Sequence, residues 1–482
     1  MLTYALVGLE PRRVEVEAHL QKGVPSFAIV GLADRACQEA KERVRSGIVS
    51  AELEWPLRRI TVNLAPADLR KEGSGFDLTI ALAILAASHQ IPPASLRAHA
   101  AVGELALDGR VRPVGGALVV AEGARRAGIE FVLCAAESAS EVALAGVDPV
   151  PVRHLAEAIA YMRGDWLPTP APAASNGSLP LGSCPDLGEV KGQRRGRRAL
   201  EIAAAGRHNL LLAGPPGTGK TMLARRLPGI LPALAEEEAL EVTRIHSVVG
   251  LLPREHPLVA VPPFRAPHHS SSMPAIIGGG SGPSPGEASL AHRGVLLLDE
   301  FPEFQRPVLE ALRQPLEDGV VSVARANGRA VFPARFQLVA TMNLCPCGGK
   351  GDAAGCSCSA VRLARFHEKL SRALIDRFDL VVAMPRPRAA ELDGSEEESS
   401  VLVRERVQAA RERLGTNPPR MGNEARALLT DAVERMSLSG RGRARVARVA
   451  RTIAALAGAE EIEREHLAEA LSYRIPPELT GR

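Results

Sequence analysis

Three kinds of hydrophobic pattern follow one another along the chain. Residues 1–166 mix short apolar runs with amphipathic stretches of helical period, which predicts an α+β domain. Residues 183–388 alternate apolar strands with helical stretches, a pattern typical of a parallel sheet with helices on both faces. Residues 389–482 carry only a helical period. We therefore expect a multidomain α/β and α+β protein with a helical domain at its end.

Two breaks separate these segments. Residues 167–182 are rich in proline, alanine and serine without a hydrophobic period, which predicts an exposed linker. A polar run that begins at Asp393 marks the second break. The predicted strands of the first segment are Leu2–Leu9, Phe27–Val30, Ile60–Leu64, Ala100–Leu107 and Phe131–Cys134. The predicted helices are Asp34–Ser50, Phe76–Ser88 and Ala117–Ala127 in the first segment, and Val401–Leu414, Asn423–Met436, Ala444–Ala457 and Arg464–Leu471 in the third.

The composition is that of a soluble globular protein, with 46% hydrophobic and 24% charged residues among 482. No apolar run approaches the roughly 18 residues that a membrane span needs. The residues after Met1 have neither a basic region nor a small-residue cleavage site, so we expect no signal peptide and a cytoplasmic protein without membrane contact.

The basic residues are unusual in kind, because only seven of the 59 are lysines. A genome with GC-rich codons explains this bias, since arginine is also a good surface helix former. Alternatively, guanidinium groups are selected to bind phosphate or nucleic acid. The net charge of +4 does not decide between the two, because the clustering of the charges matters more than their sum.

A phosphate-binding loop is predicted directly after an apolar strand that starts at Asn209. The sequence fits the GxxxxGK[ST] pattern in its required setting between a strand and a helix. The loop amides would surround phosphate, Lys220 would contact the β- and γ-oxygens, and the hydroxyl of Thr221 would bind Mg²⁺. The predicted nucleotide-binding residues are Gly214, Pro215, Pro216, Gly217, Thr218, Gly219, Lys220, Thr221 and Met222.

Further candidate catalytic residues follow later strands. Asp299 and Glu300 end an apolar strand, where the first would help to hold Mg²⁺ and the second would polarise the attacking water. Asn343 ends another strand and would hold that water, or is an ordinary turn residue. Arg377 would complete the site of a neighbouring subunit, or forms a salt bridge to Asp376 or Asp379.

In this order and spacing, the residues resemble Walker A, Walker B, sensor 1 and the arginine finger of an AAA+ ATPase. Four segments narrow the resemblance to the magnesium-chelatase-like branch and to the YifB/ComM family; they start at Pro263 (PFRAPHHS), Ile277 (IGGG), Pro285 (PGEASLAHRG) and Asn343 (NLCPCG). The resemblance implies a hexameric ATPase that uses ATP and Mg²⁺. It also implies DNA branch migration during integration of transforming DNA, and a helical lid whose Arg441 is the sensor 2 arginine.

The first segment resembles the proteolytic domain of Lon proteases, in which a lysine activates a serine nucleophile. Aligning the two places Gly75 at the nucleophile position, with Ser74 one residue early. Leu118 stands where the catalytic lysine belongs. We therefore expect a Lon-like domain without peptidase activity.

Candidate DNA contacts lie on a hairpin predicted around Asn327-Gly328, between the Walker B and sensor 1 strands. Arg325 and Arg329 flank its tip and would contact DNA, although a merely solvated hairpin fits the same pattern. The loop Phe264–Pro285 is a second candidate pore element, or its histidines are structural. Since only 15 residues are aromatic, we expect sequence-independent contact with DNA phosphates rather than base stacking.

Four of the seven cysteines fall within 14 residues, at Cys345, Cys347, Cys356 and Cys358. They would form a Cys₄ zinc site, or they are reduced thiols of a structural loop.

The leading hypothesis is an ATP-driven, ring-forming motor on branched or single-stranded DNA, built as a homo-oligomer and by resemblance a hexamer. A second hypothesis is a chelatase-like motor that remodels a partner protein. A third is a regulatory scaffold that uses its protease-like domain as a binding module.

Overall fold

The computed structural model describes residues 1–169, 184–253, 256–280, 283–325, 328–350, 355–369, 372–392, 397–436 and 438–474. Two large sheets organise this part of the chain, one near the N-terminus and one in the centre. No helix among the described residues is long and apolar enough to cross a membrane.

The N-terminal sheet has seven strands in mixed orientation. In spatial order they are Ser26–Val30, Arg59–Ala65, Glu10–Gln21, Leu2–Val7, His99–Val102, Phe131–Ala135 and Asp148–Val152. The α-helices of this region are Arg35–Ser50, Asp77–Ala87, Ala117–Arg126, Ala139–Ala143 and Leu155–Arg163. The predicted helices and most predicted strands of this region are therefore confirmed within a few residues.

Two strands of this sheet differ from the prediction. The long strand Glu10–Gln21 was not predicted, although Val14, Val16, Ala18 and Leu20 alternate with polar residues and face the core. The predicted strand Ala100–Leu107 is wrong in extent, since His99–Val102 and Glu104–Leu105 belong to different sheets. The amide and the carbonyl of the intervening Gly103 bond to Gly75 and Leu78 instead of to a neighbouring strand.

The central sheet has five parallel strands, as predicted for an α/β domain. Their spatial order is Phe264–Arg265, Val295–Leu298, Gln337–Met342, Leu210–Ala213 and Leu380–Ala383. Leu210 and Leu212 face one hydrophobic core while Leu211 and Ala213 face another, so both faces of the sheet are covered. The helices of this part are Arg194–Gly206, Lys220–Ala224, Leu227–Ile230, Glu236–Val248, Met273–Ile277, Glu287–Leu290, Arg306–Ala311, Arg313–Asp318, Ala360–Glu368, Arg372–Ile375 and Ala389–Leu392.

A two-stranded hairpin extends from the central region and confirms the predicted one. Strands Val320–Arg325 and Gly328–Pro333 pair antiparallel, with Arg325 opposite Gly328. Gly328 therefore lies in the second strand rather than in the turn, and Asn327 lies outside the described residues.

Four helices near the C-terminus pack on the core that the helix Arg194–Gly206 shares with the central sheet. All four were predicted; they span Ser400–Thr416, Asn423–Arg435, Gly440–Leu456 and Arg464–Ser472. The prediction of helical structure alone is wrong in one detail, since Arg420–Met421 and Glu461–Ile462 form a short parallel pair. Two-residue strands are too short to produce a period in the sequence.

The N-terminal region docks on the helix Glu236–Val248. Arg244 pairs with Glu122 at 2.6 Å between Nε and Oε1, and the hydroxyl of Ser247 donates to Glu141 at 2.6 Å. Burial raises the pKa of Glu141, although the bonds from Ser247 and from the amide of Leu118 oppose that rise. Most of the predicted linker 167–182 lies outside the described residues.

Candidate nucleotide-binding site

The loop Gly214–Thr221 begins where the central strand Leu210–Ala213 ends. Gly217 and Gly219 have φ angles of +76° and +82°, a conformation that glycine adopts without strain. A side chain built at either position would meet nothing within 4 Å, so the backbone of the loop faces open space. The loop therefore leaves its backbone accessible to a phosphate group.

Lys220 is buried beneath this loop. Its ammonium group donates to the carbonyls of Gly214 at 2.9 Å and Pro215 at 2.7 Å, and to the amide oxygen of Asn343 at 3.2 Å. Burial lowers the pKa of Lys220 and the carboxylate of Asp299 opposes that shift. The ammonium group and the predicted sensor asparagine are thus in direct contact.

Three side-chain oxygens meet beside the loop. The hydroxyl of Thr221 donates to Asp299 Oδ1 at 2.8 Å, and the hydroxyl of Thr341 donates to the same oxygen at 2.5 Å. Hydroxyl and carboxylate oxygens are ligands that Mg²⁺ prefers, so Thr221 and Asp299 fit a magnesium site. Thr341 was missed by sequence reasoning, although it is a polar residue next to the end of the mostly apolar strand Gln337–Met342.

Glu300 follows Asp299 and projects toward solvent, with 64% of its side chain exposed. Its backbone has φ of +55°, and its amide donates to the hydroxyl of Thr341 at 3.1 Å. Its carboxylate lies 3.6 Å from Nδ1 of His269, from the loop that was predicted as a pore element. Arg265 of the same loop is paired with Glu287 at 2.5 Å, so its charge is already balanced within the fold.

Arg377 and Arg441 lie elsewhere, in a cleft of about 1020 Å³ that we call the arginine cleft. The predicted partners of Arg377 are wrong, because it pairs with Glu317 while Asp376 lies near Arg445. Burial lowers the pKa of Arg377, and the charges of neighbouring arginines lower it further. The charged residues that line the cleft are Arg207, Arg293, Arg335, Arg377, Arg411, Arg441, Arg445, Arg448, Glu317, Asp318, Asp376 and Asp379.

Arg441 lies near the start of the helix Gly440–Leu456. The hydroxyl of Ser439 caps that helix by accepting from the amide of Gly442 at 3.1 Å. Arg441 lines the cleft together with Arg445 and Arg448, at the spacing of one helical face.

The cleft and the phosphate loop lie at opposite ends of the parallel strands of the central sheet. The loop lies at their carboxyl ends, which we call the carboxyl edge, and the cleft lies at their amino ends, which we call the amino edge. Asn209, Gln337 and Asp379 line the cleft and precede or begin their strands, whereas the loop follows the end of a strand. Four residues of extended chain span about 13 Å. One chain therefore does not bring Arg377 or Arg441 to its own Lys220.

Comparisons with known proteins identify the family to which the chain belongs. Residues 186–392 match the family described as magnesium chelatase, subunit ChlI, while residues 16–138 and 416–474 match two further ChlI descriptions, the latter its C-terminal part. The chain is 44% identical over 491 residues to an uncharacterized protein of Mycobacterium tuberculosis, covering 98% of this chain and 97% of the relative. It is 43% identical over 493 residues to YifB of Salmonella typhimurium and 42% identical over 491 residues to the competence protein ComM of Haemophilus influenzae, each covering 98% of this chain and 96% of the relative.

The chain belongs to the magnesium-chelatase-like YifB/ComM family. That family is a branch of the AAA+ ATPases, whose substrate and ion are ATP and Mg²⁺. The loop with open backbone, the buried lysine and the Thr221–Asp299 pair fit both.

The hairpin formed by Val320–Arg325 and Gly328–Pro333 carries Arg325 and Arg329, which were predicted to contact DNA. Arg329 is exposed, and its Nε donates to the hydroxyl of Ser322 at 3.1 Å. The side chain of Arg325 lies outside the described residues, while its backbone pairs with Gly328. The residues Gly319 and Arg335 at the base of the hairpin line the arginine cleft.

The residues of the N-terminal region that align with the catalytic segments of Lon proteases are hydrogen-bonded or buried within the fold. The hydroxyl of Ser74 donates to Glu104, and Lys71 is buried with its ammonium group on the carbonyl of Pro66. Leu118 is buried, and Gly75 lies close to Val114. The absence of peptidase activity stays a prediction.

Proposed function

We propose that this protein is a ring-forming ATPase that moves DNA strands, as a branch-migration helicase in recombination or natural transformation. The observation that carries the proposal is the division of the catalytic groups between two edges of one sheet. A phosphate loop at one edge and an arginine cleft at the other suit a ring in which each site lies between two copies.

At the carboxyl edge, Lys220 would hold the β- and γ-phosphate oxygens and Asn343 would orient the attacking water. Thr221 and Asp299 would hold Mg²⁺, which neutralises charge that develops on the phosphate oxygens. Glu300 would accept the proton of that water, since its carboxylate projects into solvent beside the loop. Thr341 would keep Asp299 in place through its hydrogen bond.

At the amino edge, Arg377 and Arg441 would reach the γ-phosphate held by the neighbouring copy. An arginine supplied by a second subunit stabilises the charge of the transition state and makes turnover depend on assembly. Glu317, the present partner of Arg377, would lose it when the ring closes. We infer a homo-oligomer, and by family resemblance a hexamer.

The arginine cleft adjoins the hairpin, and this contact supports coupling of turnover to DNA movement. Arg377 pairs with Glu317, which lies two residues before the hairpin-base residue Gly319. A change of partner at Arg377 would therefore alter the contacts at the base of the hairpin, and Arg329 on that hairpin is exposed to solvent. Contact of Arg329 and Arg325 with DNA phosphates would be independent of sequence.

The proposed domains are residues 1–166 as an inactive Lon-like domain, 167–182 as a linker, 183–388 as the ATPase core and 389–482 as a helical lid. The Lon-like domain would act as a docking module, since it contacts the helix Glu236–Val248 through two charged or polar pairs. We propose a cytoplasmic location, where ATP and chromosomal DNA are both present.

A second candidate is a motor that remodels a partner protein, which the match to a chelatase subunit favours. One experiment separates the two functions. Purified protein is incubated with a synthetic four-way DNA junction and ATP, and both strand products and phosphate release are measured with and without DNA. We expect ATP-dependent branch migration and DNA-stimulated turnover, both lost in Lys220→Ala. Turnover that DNA leaves unchanged, with intact junctions, would favour the partner-protein motor.

A further inference from the structure

The four clustered cysteines come together in space as well as in sequence. Their Sγ atoms all lie within 4.8 Å of one another. The Sγ atoms of Cys345 and Cys347 are 3.4 Å apart, and those of Cys347 and Cys356 are 3.6 Å apart. The two CxC pairs are thus folded onto one point.

These separations match the size of one metal ion. Four thiolates around tetrahedral zinc, at about 2.3 Å from the ion, lie about 3.8 Å from one another. Burial of apolar surface does not explain the cluster, because Cys347 and Cys356 are exposed. The geometry is also specific to thiols, since no histidine, aspartate or glutamate among the described residues joins the group.

Backbone amides point at the sulfur atoms, as they do around ligating cysteines. The amide of Lys350 donates to Cys345 Sγ at 3.2 Å, and the amide of Cys358 donates to Cys356 Sγ at 3.5 Å. Gly348 and Gly355 have φ of +77° and +74°, which lets the chain turn sharply beside the cysteines. Such amides stabilise negative charge on sulfur.

We propose that Cys345, Cys347, Cys356 and Cys358 bind one Zn²⁺ ion in a closed structural site. Four protein ligands leave no open position for substrate, so the ion would stabilise the fold rather than react. The ligands release their protons on binding, which leaves the occupied site with a net charge of about −2.

The zinc site would stabilise the phosphate loop through a segment that packs against it. Cys345 is buried two residues after Asn343, which contacts Lys220. Gly348 lies so close to Pro216 that an added Cβ would come within 2.8 Å of its ring. Zinc would therefore fix the segment that follows the strand Gln337–Met342 and packs against the phosphate loop.

The proposal goes beyond the motor function and does not depend on it. The full-length protein, purified under reducing conditions without chelator, is analysed for metals by inductively coupled plasma mass spectrometry. We expect about one zinc per chain. We expect less than about half of that in Cys347→Ser and in Cys356→Ser, whose exposed side chains leave the core intact. The matched control Cys184→Ser, outside the cluster, should retain the full amount.

A zinc-free protein from zinc-supplemented cells, or full zinc content in both cluster variants, would overturn the proposal. So would iron in place of zinc, or disulfides within the cluster after rapid alkylation and peptide mapping. A second measurement is thermal unfolding, because removal of a structural ion by chelator should lower the melting temperature of the parent and of Cys184→Ser. Chelator should change the cluster variants less. These measurements require neither ATP turnover nor DNA. They therefore test zinc binding even if the proposed motor function is wrong.

Discussion

The two edges of the central sheet lie one strand length apart and carry different chemistry. The carboxyl edge gathers one lysine, two hydroxyls, a carboxylate and an amide, and these groups already bond to one another. The amino edge gathers eight arginines against four carboxylates around the arginine cleft, an excess of four positive charges. The groups of the carboxyl edge pair with one another, whereas the amino edge keeps an excess of positive charge even though Arg207 and Arg293 also pair with Glu238 and Glu241 beside the cleft.

This difference also bears on the arginine bias of the chain. Codon usage accounts for arginines scattered over a surface, but it does not explain eight of them around one cleft. Burial lowers the pKa of Arg377, and the positive charges of Arg441, Arg313 and Arg445 lower it further. A phosphate group of a neighbouring subunit would relieve that repulsion.

The largest expected effect is at the carboxyl edge. Lys220→Ala should lower ATP turnover by at least about 10⁴-fold, because it removes both phosphate binding and charge stabilisation in the transition state. Phosphate release measures the loss. Lys191→Ala, at an exposed position outside the site, is the control and should keep parental turnover. A Lys220→Ala protein that still hydrolyses ATP would refute the site assignment.

The next effect tests whether the two edges belong to one site. Arg377→Ala should lower turnover about 10³-fold while nucleotide binding changes little, because the residue acts only on the transition state of the neighbouring site. Fluorescent nucleotide titration separates the two quantities.

Mixing the two inactive variants provides the decisive control. Rings that contain both Lys220→Ala and Arg377→Ala chains hold some interfaces with an intact Lys220 and an intact Arg377. Mixed rings should therefore recover part of the turnover, roughly a quarter at equal amounts if interfaces act independently. No recovery in proven mixed rings would mean that the arginine cleft does not serve a neighbouring site.

The sequence alone identifies the carboxyl edge far better than the amino edge. Gly214–Thr221 and Asp299 each belong to a short sequence motif that directly follows one apolar strand, so each motif is visible in a few consecutive residues. The cleft instead assembles residues from distant segments, such as Arg207, Arg293 and Arg441, and no local period reveals their proximity. Thr341 illustrates the same limit, since its contact with Asp299 depends on the pairing of two strands.

The fold shows a similar division. Buried strands and amphipathic helices were predicted within a few residues because burial imposes a period on the sequence. Glu10–Gln21 pairs with Leu2–Val7 and Arg59–Ala65, and it was missed even though Val14, Val16, Ala18 and Leu20 alternate with polar residues, the period typical of a half-buried strand. The partner of Arg377 was wrong because Glu317 is sixty residues away in the chain and adjacent only after folding.

A third effect separates structural from catalytic charges in the arginine cleft. Asp379 is buried, accepts from the amide of Asn209 at 3.1 Å and pairs with Arg448 at 3.0 Å. Burial raises the pKa of Asp379, but His208, Arg448 and that amide together lower it below its ordinary value of 3.8. Asp379→Asn should therefore lower the free energy of unfolding by about 1–3 kcal/mol at pH 7, as measured by urea denaturation.

The pH dependence of this loss has a definite sign. A carboxylate whose pKa is lower in the folded state stabilises the fold above its unfolded pKa, and this stabilisation disappears as the pH falls through the folded value. The difference between parent and Asp379→Asn should shrink below about pH 4, where the carboxyl group becomes protonated. Asp376→Asn, whose side chain is 47% exposed, should cost less than about 0.5 kcal/mol. A difference that keeps growing as the pH falls below about 4 would contradict the assignment.

The smallest expected effect lies at the hairpin that rises from the arginine cleft. Arg329→Ala should leave turnover without DNA within about twofold of the parent, because the side chain is exposed and its hydrogen bond goes to Ser322 of the same hairpin. Loss of one phosphate contact per subunit should weaken DNA binding at every sequence and reduce the slope of log affinity against log salt by about 1 per bound subunit. Fluorescence anisotropy at several salt concentrations measures that slope. Arg35→Ala, at a position 95% exposed in the N-terminal region, should leave it unchanged. If Arg329→Ala has the parental slope, Arg329 does not contact DNA phosphates and the tip of the hairpin is merely solvated. Any change that the neighbouring nucleotide causes at the amino edge would then not reach DNA through this residue.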